Sequence, residues 1–274
     1  MTSTTIRAPD DASLVYGSAP FAGVTEYGVC GNCGLALRGE YCSACGQRAV
    51  RGRLNVPAIA HQVASEVMNL DRGILFTAVE LTRRPGEAIR DYVRGRRVRY
   101  TGPVKYFVLT VALTTFATTQ LGVLDEVASG MFGHSGPGAA EVARRASEFM
   151  SQWMTLFMAL GVPFTAALTH RLFRRSGFTY AEHLALNLYS YGHQSLGLAL
   201  ALLVGHWLRN VEGLLVTGWM FGSAGYFAWT CAGFFRVRPR SAVPRALLSA
   251  ALGTLAYTIF AVLVLGIATE IGGG

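Results

Sequence analysis

Four cysteines fall in two matched pairs, Cys30 and Cys33 in CGNCG, then Cys42 and Cys45 in CSACG. A C-x-x-C on a tight turn aims two sulfurs at one point, and two such turns supply the four thiolates of a tetrahedral metal site. Gly34 and Gly46 follow the pairs, and each can take the positive φ on which such a turn ends. Four thiolates leave no open position for water, so the expected cofactor is a structural zinc, with iron in a rubredoxin-like site as the metal alternative. A redox dithiol is disfavoured, because two pairs so close together chelate a metal first. The module, residues 28–48, is too short to build a core, so the metal must hold it together. Gly39 is expected at its hairpin turn and Tyr41 over the metal.

Two further groups of residues could do chemistry. His183, Asn187, Ser190 and Gln194 recur at i, i+4, i+7 and i+11 on one helical face, with Glu182 and His193 beside it. Inside an apolar helix such a stripe is either a site for an ion, proton or small ligand, or hydrogen-bonding glue between helices. Glue is the favoured reading, with Glu182 and His183 at headgroup level. The second group is Arg94, Arg96, Arg97, Arg99 and Lys105, a basic run directly before the first long apolar segment. It reads either as a contact for anionic lipid headgroups or as a topology signal alone.

Residues 1–27 have no apolar run and are expected to be a disordered lead-in. Residues 55–100 form an amphipathic helical collar that lies on a membrane surface or packs under a bundle. Within it Asn55 is a candidate N-cap, and Ile59, Val63, Val67 and Leu70 share one face. A second helix is expected from Ile74 to Arg83, and a third short one around Ile89, Tyr92 and Val93. Residues 104–268 then read as a bundle of five transmembrane helices, near Val104–Leu124, Met150–Leu172, Leu184–Leu208, Leu214–Phe235 and Leu247–Ala268. Each reaches the roughly 20 residues that cross a hydrocarbon core. The fold class expected is therefore an all-α integral membrane protein. Thr110, Thr114 and Thr118 share a face of the first span, where threonines bond back to their own helix. Gly218 and Gly222, with Gly225 a turn on, suggest a close-packing face within the chain or in a homo-oligomer. Cys231, inside an apolar run, reads as a core residue.

Of 274 residues 51% are hydrophobic and only 15% charged, with a net charge of +8. Fourteen of the 24 basic residues precede residue 106. The later ones alternate in number between loops. Arg144 and Arg145 follow the first span; Arg171, Arg174 and Arg175 the second; Arg209 alone the third; and Arg236, Arg238, Arg240 and Arg245 the fourth. This asymmetry places the N-terminus in the cytoplasm and the C-terminus outside. It also accounts for the positive charge without nucleic acid. A reducing cytoplasm favours metal over disulfide at the cysteines.

The string GEYCSACGQR followed by DRGILFTAVELTRRPGEAIRDYVRGRRVRYTGPVKYF resembles a family of uncharacterised bacterial multi-span membrane proteins. That family pairs an N-terminal short zinc ribbon with a T…L…RPG…Y…GRR…Y…P…YF block before its first span. The matching residues are Thr77, Leu81, Arg84, Pro85, Gly86, Tyr92, Gly95, Arg96, Arg97, Tyr100, Pro103, Tyr106 and Phe107, and the resemblance covers residues 28–110. It implies a multi-pass protein of the bacterial inner membrane and lends no activity.

No phosphate loop, nucleophile elbow, HExxH or paired-carboxylate site occurs, which argues against an enzyme without excluding one built on His183 and Glu182. The function expected is interaction or regulation. The ribbon and collar would engage an unidentified cytoplasmic protein and anionic membrane lipids, and the bundle would anchor them. The alternative is a small transporter or channel with a polar path along the third span.

Overall fold

The computed structural model describes residues 28–37, 39–49, 54, 56, 73–132, 138–208 and 211–271. The lead-in 1–27 and the expected helix over 55–70, apart from Val56, lie outside the described residues. Among the described residues, 73–271 are mostly helical, 28–49 are built of turns, and the extended backbone is limited to two isolated bridges, Val29 with Ala36 and Tyr41 with Arg48.

The helices are α1 (Gly73–Arg83), α2 (Pro85–Val93), α3 (Pro103–Gln120), α4 (Val123–Phe132), α5 (Ala139–Leu172), α6 (Tyr180–Trp207), α7 (Glu212–Phe235) and α8 (Pro239–Ile271). Their starts follow local chemistry. Pro85 and Pro103 occupy the first helical positions of α2 and α3, where the missing N–H costs nothing. Thr179 and Glu182 form a capping box that opens α6: Thr179 N–H donates to Glu182 Oε2 at 2.7 Å, and Thr179 Oγ1 accepts from Glu182 N–H at 3.4 Å.

α3, α5, α6, α7 and α8 pack side by side, and α2 packs under the bundle against α7 and α6. The closest approaches run through glycines. A Cβ on Gly86 would meet Phe234 N at 2.3 Å and Thr230 O at 2.5 Å, so the backbones of α2 and α7 touch there. A Cβ on Gly192 of α6 would meet Thr110 Oγ1 at 2.9 Å and the Phe107 Cα at 3.0 Å on α3. By contrast, Gly218, Gly222 and Gly225 have nothing within 4 Å of such a position. Among the described residues nothing packs against the face expected there. Large apolar groups on the same helix, Leu214 and Phe221, are 74% and 73% exposed, so α7 turns its other side, with Phe227, Cys231 and Phe234, to the core.

The core concentrates at the end of the bundle where α2 sits. Leu81, Ile89, Tyr92, Tyr106, Phe173, Tyr189 and Phe234 are all buried in one cluster. Arg90 reaches into it, donating to the Phe234 carbonyl at the C-terminus of α7, where the helix dipole favours a cation. Cys231 is fully buried there, as expected of a small core residue.

Among the described residues no single helix is long and apolar enough to cross a membrane. α3 and the Val123–Gly130 part of α4 pass together by length and composition but are bent by 70°. The break falls at Leu121–Gly122, where Gly122 takes φ +68°, inside the segment Val104–Leu124 that reads as one span in sequence.

Candidate metal centre and polar sites

Gly34 and Gly46 have φ of +77° and +71°, so each C-x-x-C turns back on itself as its sequence requires. Backbone bonds close the two knuckles symmetrically. Gly34 N–H donates to Cys30 O at 2.9 Å, and Gly46 N–H to Cys42 O at 2.8 Å. The four Sγ atoms lie within 4.8 Å of one another. Cys30 to Cys45 is 3.6 Å and Cys33 to Cys42 is 3.5 Å. Sulfurs about 2.3 Å from a common tetrahedral centre stand about 3.8 Å apart, so the quartet fits a metal ion. The separations are far beyond the roughly 2.05 Å of a disulfide, and all four cysteines are free.

Backbone N–H groups prepare the ligands. Those of Cys45 and Ala44 pull the Cys42 thiol down to about 6, and that of Gln47 lowers Cys45. Cys33 goes the other way: the Leu35 N–H pulls it down, but the hydrogen bond with the Cys42 thiol, desolvation, and the Cys45 and Cys30 thiols together outweigh it and push it up to about 12. Tyr41 is 62% exposed rather than packed over the sulfurs. It sits in the bridge with Arg48, and alternation along extended backbone sends Cys42 inward and Tyr41 outward.

The residue after the second knuckle does unexpected work. Gln47 is 5% exposed. Its Nε2 donates to Gly95 O at 2.6 Å, and its Oε1 accepts the Arg97 N–H at 3.0 Å. One side-chain amide thus pairs with a backbone acceptor and a backbone donor in the turn after α2. Gly31 of the first knuckle also lies against Gly95, whose carbonyl oxygen a Cβ at Gly31 would meet at 3.3 Å. The metal module is thereby docked on the GRR turn. The sequence shows Gln47 within CGQ but nothing in it pairs position 47 with positions 95–97.

The basic run is divided by this docking. Arg94, Arg96 and Arg99 are exposed. Arg97 is half-buried, with its guanidinium 5.2 Å from the Tyr92 ring centroid. Lys105 is buried, at 8% exposure.

The polar stripe of α6 faces inward. His183, Asn187 and Ser190 are fully buried, as is Glu182 at 1%. Thr169 of α5 joins two of them: its Oγ1 is 3.2 Å from His183 Nδ1 and accepts from Asn187 Nδ2 at 3.0 Å. Ser190 bonds back to Leu186 O at 2.7 Å, and Glu182 is the capping residue described above. His193 lies off the stripe, between Tyr106 Oη at 2.9 Å and Thr82 Oγ1 at 3.2 Å, so it ties α6 to α3 and α1. Gln194 contributes its backbone oxygen to Trp219 Nε1 at 2.9 Å. His170 was invisible as a member of this group. Its ring stands 5.1 Å from that of His183, edge to face, across a helix–helix boundary that no spacing rule reports. His183 Nε2, His170 Nδ1 and Asn187 Oδ1 are buried without a hydrogen-bond partner among the described residues. Thr110, Thr114 and Thr118 each bond back to α3, and Thr114 also reaches Ser195 O at 2.8 Å on α6.

Residues 71–115 match the model of a family described as a protein of unknown function, DUF3667. The matched stretch spans α1, α2, the docking turn and the first part of α3. No curated protein and no solved structure matches the chain.

Proposed function

We propose that the chain is a multi-pass protein of the bacterial inner membrane, of the zinc-ribbon type its N-terminal third resembles, whose cysteine module is a cytoplasmic interaction platform anchored by the helical bundle. The metal is zinc and its role is to fold the platform: with four thiolates committed it has no position for substrate. Residues 104–268 form the membrane-embedded part, with five spans, the N-terminus inside and the C-terminus outside.

The observation that carries this reading is how the surfaces are divided. The bundle hides hydroxyl, amide and imidazole groups and shows large apolar side chains outward, among them Phe116, Leu200, Trp207, Phe221 and Leu255. That suits lipid better than water. Exposed arginines gather at the end where α2 and the ribbon dock, and among the described residues Arg99, Arg174, Arg175 and Arg245 form no ion pair there, while Arg96 pairs with Asp91 at 3.4 Å. Arg144 and Arg145, toward the other end, are matched to Glu141 at 2.7 Å. The ribbon in turn leaves Val29, Leu35 and Tyr41 at 63%, 49% and 62% exposure. So much apolar surface on so small a module fits a protein partner. The exposed Arg94, Arg96 and Arg99 are placed for anionic headgroups beside it.

The test is purification of the full chain from mild detergent, comparing wild type with V29S/Y41S. A soluble protein retained by wild type and lost from the variant, with zinc content equal in both, is the expected result. An identical set of co-purifying proteins overturns the platform reading. Carbonate extraction separately tests the membrane reading: release into the soluble fraction overturns it.

One observation favours a second reading, a transporter or channel along α6. His183 Nε2, Asn187 Oδ1 and Gln194 Nε2 are buried and unpartnered among the described residues. Solute flux in proteoliposomes that H183A and N187A abolish would favour it over the platform.

A further inference from the structure

A cavity of about 390 Å³ opens where the C-terminus of α5 turns into α6, against the α7–α8 connection. That volume lies within the range of about 300–1,000 Å³ usual for small-ligand sites. Its floor is aromatic: the rings of Phe173 and Phe235 stack with centroids 4.2 Å apart. Its polar lining comes from Arg174, Arg175, Ser176 and Arg245. Arg174 and Arg175 sit on the single 3-10 turn Arg174–Ser176, which ends on Gly177 in the left-handed conformation. Arg245 approaches from α8 with its guanidinium 5.8 Å from the Phe173 ring centroid. A guanidinium over a ring face is attracted by the ring quadrupole, and its fork of N–H donors can still bind a ligand. Among the described residues none of the three arginines forms an ion pair with a carboxylate. Ser176 Oγ is buried with no hydrogen-bond partner.

We propose that this cavity binds a phosphate-bearing anion, with Arg174, Arg175 and Arg245 as the charged grip and Ser176 Oγ as a further hydrogen-bond partner. Three arginines lining one hollow, unanswered by any described acid, call for an anion with several acceptor oxygens. The fork of arginine matches phosphate oxygens two at a time. A single carboxylate would neutralise only one of the three. The stacked rings beneath suit the apolar part of an ester attached to the phosphate.

Two sources share this chemistry. A free phosphate ester could enter from solvent, and a phospholipid headgroup could enter from a leaflet, since basic pockets between helices on the cytoplasmic side hold such headgroups. The lipid source rests on the membrane reading above; the anion site itself does not.

Native mass spectrometry of the full chain in detergent separates the possibilities. The probes are phosphatidylglycerol, diacylglycerol as its phosphate-free counterpart, and glycerol 3-phosphate with inorganic phosphate as soluble anions. Wild type is expected to retain phosphatidylglycerol or the soluble anions over diacylglycerol. R174Q/R175Q/R245Q should weaken that retention at least about tenfold, as loss of charge-assisted contacts requires. R144Q/R145Q, which removes as concentrated a charge far from the cavity, should leave it unchanged. Displacement of the lipid by millimolar glycerol 3-phosphate assigns the site to a soluble ester, and lipid retention that resists it assigns the site to the headgroup. R174Q/R175Q, which keeps Arg245 on Phe173, serves if the triple variant does not fold. Equal binding by wild type and either variant, or no preference for phosphate in wild type, overturns the proposal.

Discussion

At the scale of single residues, two side chains change meaning once placed. Gln47 reads in sequence as the tail of a cysteine knuckle, yet it is the clamp that holds the metal module to the helices. Q47A would leave the buried Gly95 carbonyl unpaired, a cost of about 1–3 kcal/mol, and the part-buried Arg97 N–H as well at a smaller cost. The expected outcome is faster hydrogen exchange across residues 94–98 and 28–49 with zinc retained; unchanged exchange would show that the clamp carries no energy. Glu182 reads as a candidate catalytic carboxylate beside His183. In place, it is the N3 residue of the α6 capping box. The signal was legible, since Thr179-x-x-Glu182 is the capping pattern itself. E182Q should therefore be tolerated, while E182A lowers stability by about 0.5–2 kcal/mol, measured by thermal unfolding in detergent. A reaction lost in E182Q with stability intact would restore a chemical role.

At the scale of elements, the glycines separate contact from appearance. GxxxG is a packing pattern by spacing, but among the described residues Gly218 and Gly222 meet nothing, whereas Gly86 of the RPG motif lies against backbone. G86A should destabilise by about 1–3 kcal/mol through overpacking. G218A should be neutral or slightly stabilising, because alanine is the better helix former by about 0.8–1 kcal/mol. Thermal shifts of the two variants check the pair directly. A destabilised G218A would point to a second copy on that face, with a change of oligomeric mass to match. The collar helices were readable at α1 and α2 because their apolar positions recur at helical spacing. Which neighbour they meet was not, because a face shows only that something covers it.

At the scale of the whole molecule, charge and apolar surface are sorted by end and by side. The topology proposed from the loops predicts that a phosphatase reporter fused after residue 271 is active outside the cytoplasm, and that one fused before residue 28 is inactive. The reverse pattern would invert the molecule and move the cysteines to an oxidising compartment. The sequence alone determined the metal quartet, because the ligand spacing, the turn glycines and the sulfur chemistry are all local. It also determined the long helices, through runs of apolar residues, and the direction in which the polar stripe of α6 turns. Only the tertiary structure decided what those features meet. It seated the ribbon on the GRR turn through Gln47, brought His170 to His183, buried Lys105 and left Arg94, Arg96 and Arg99 exposed. It also gathered Arg174, Arg175 and Arg245 around one cavity from segments about seventy residues apart. The reason is physical: periodicity encodes which face of an element is buried, whereas pairing between faces is set by shape and hydrogen-bond complementarity, which exist only once the elements are packed.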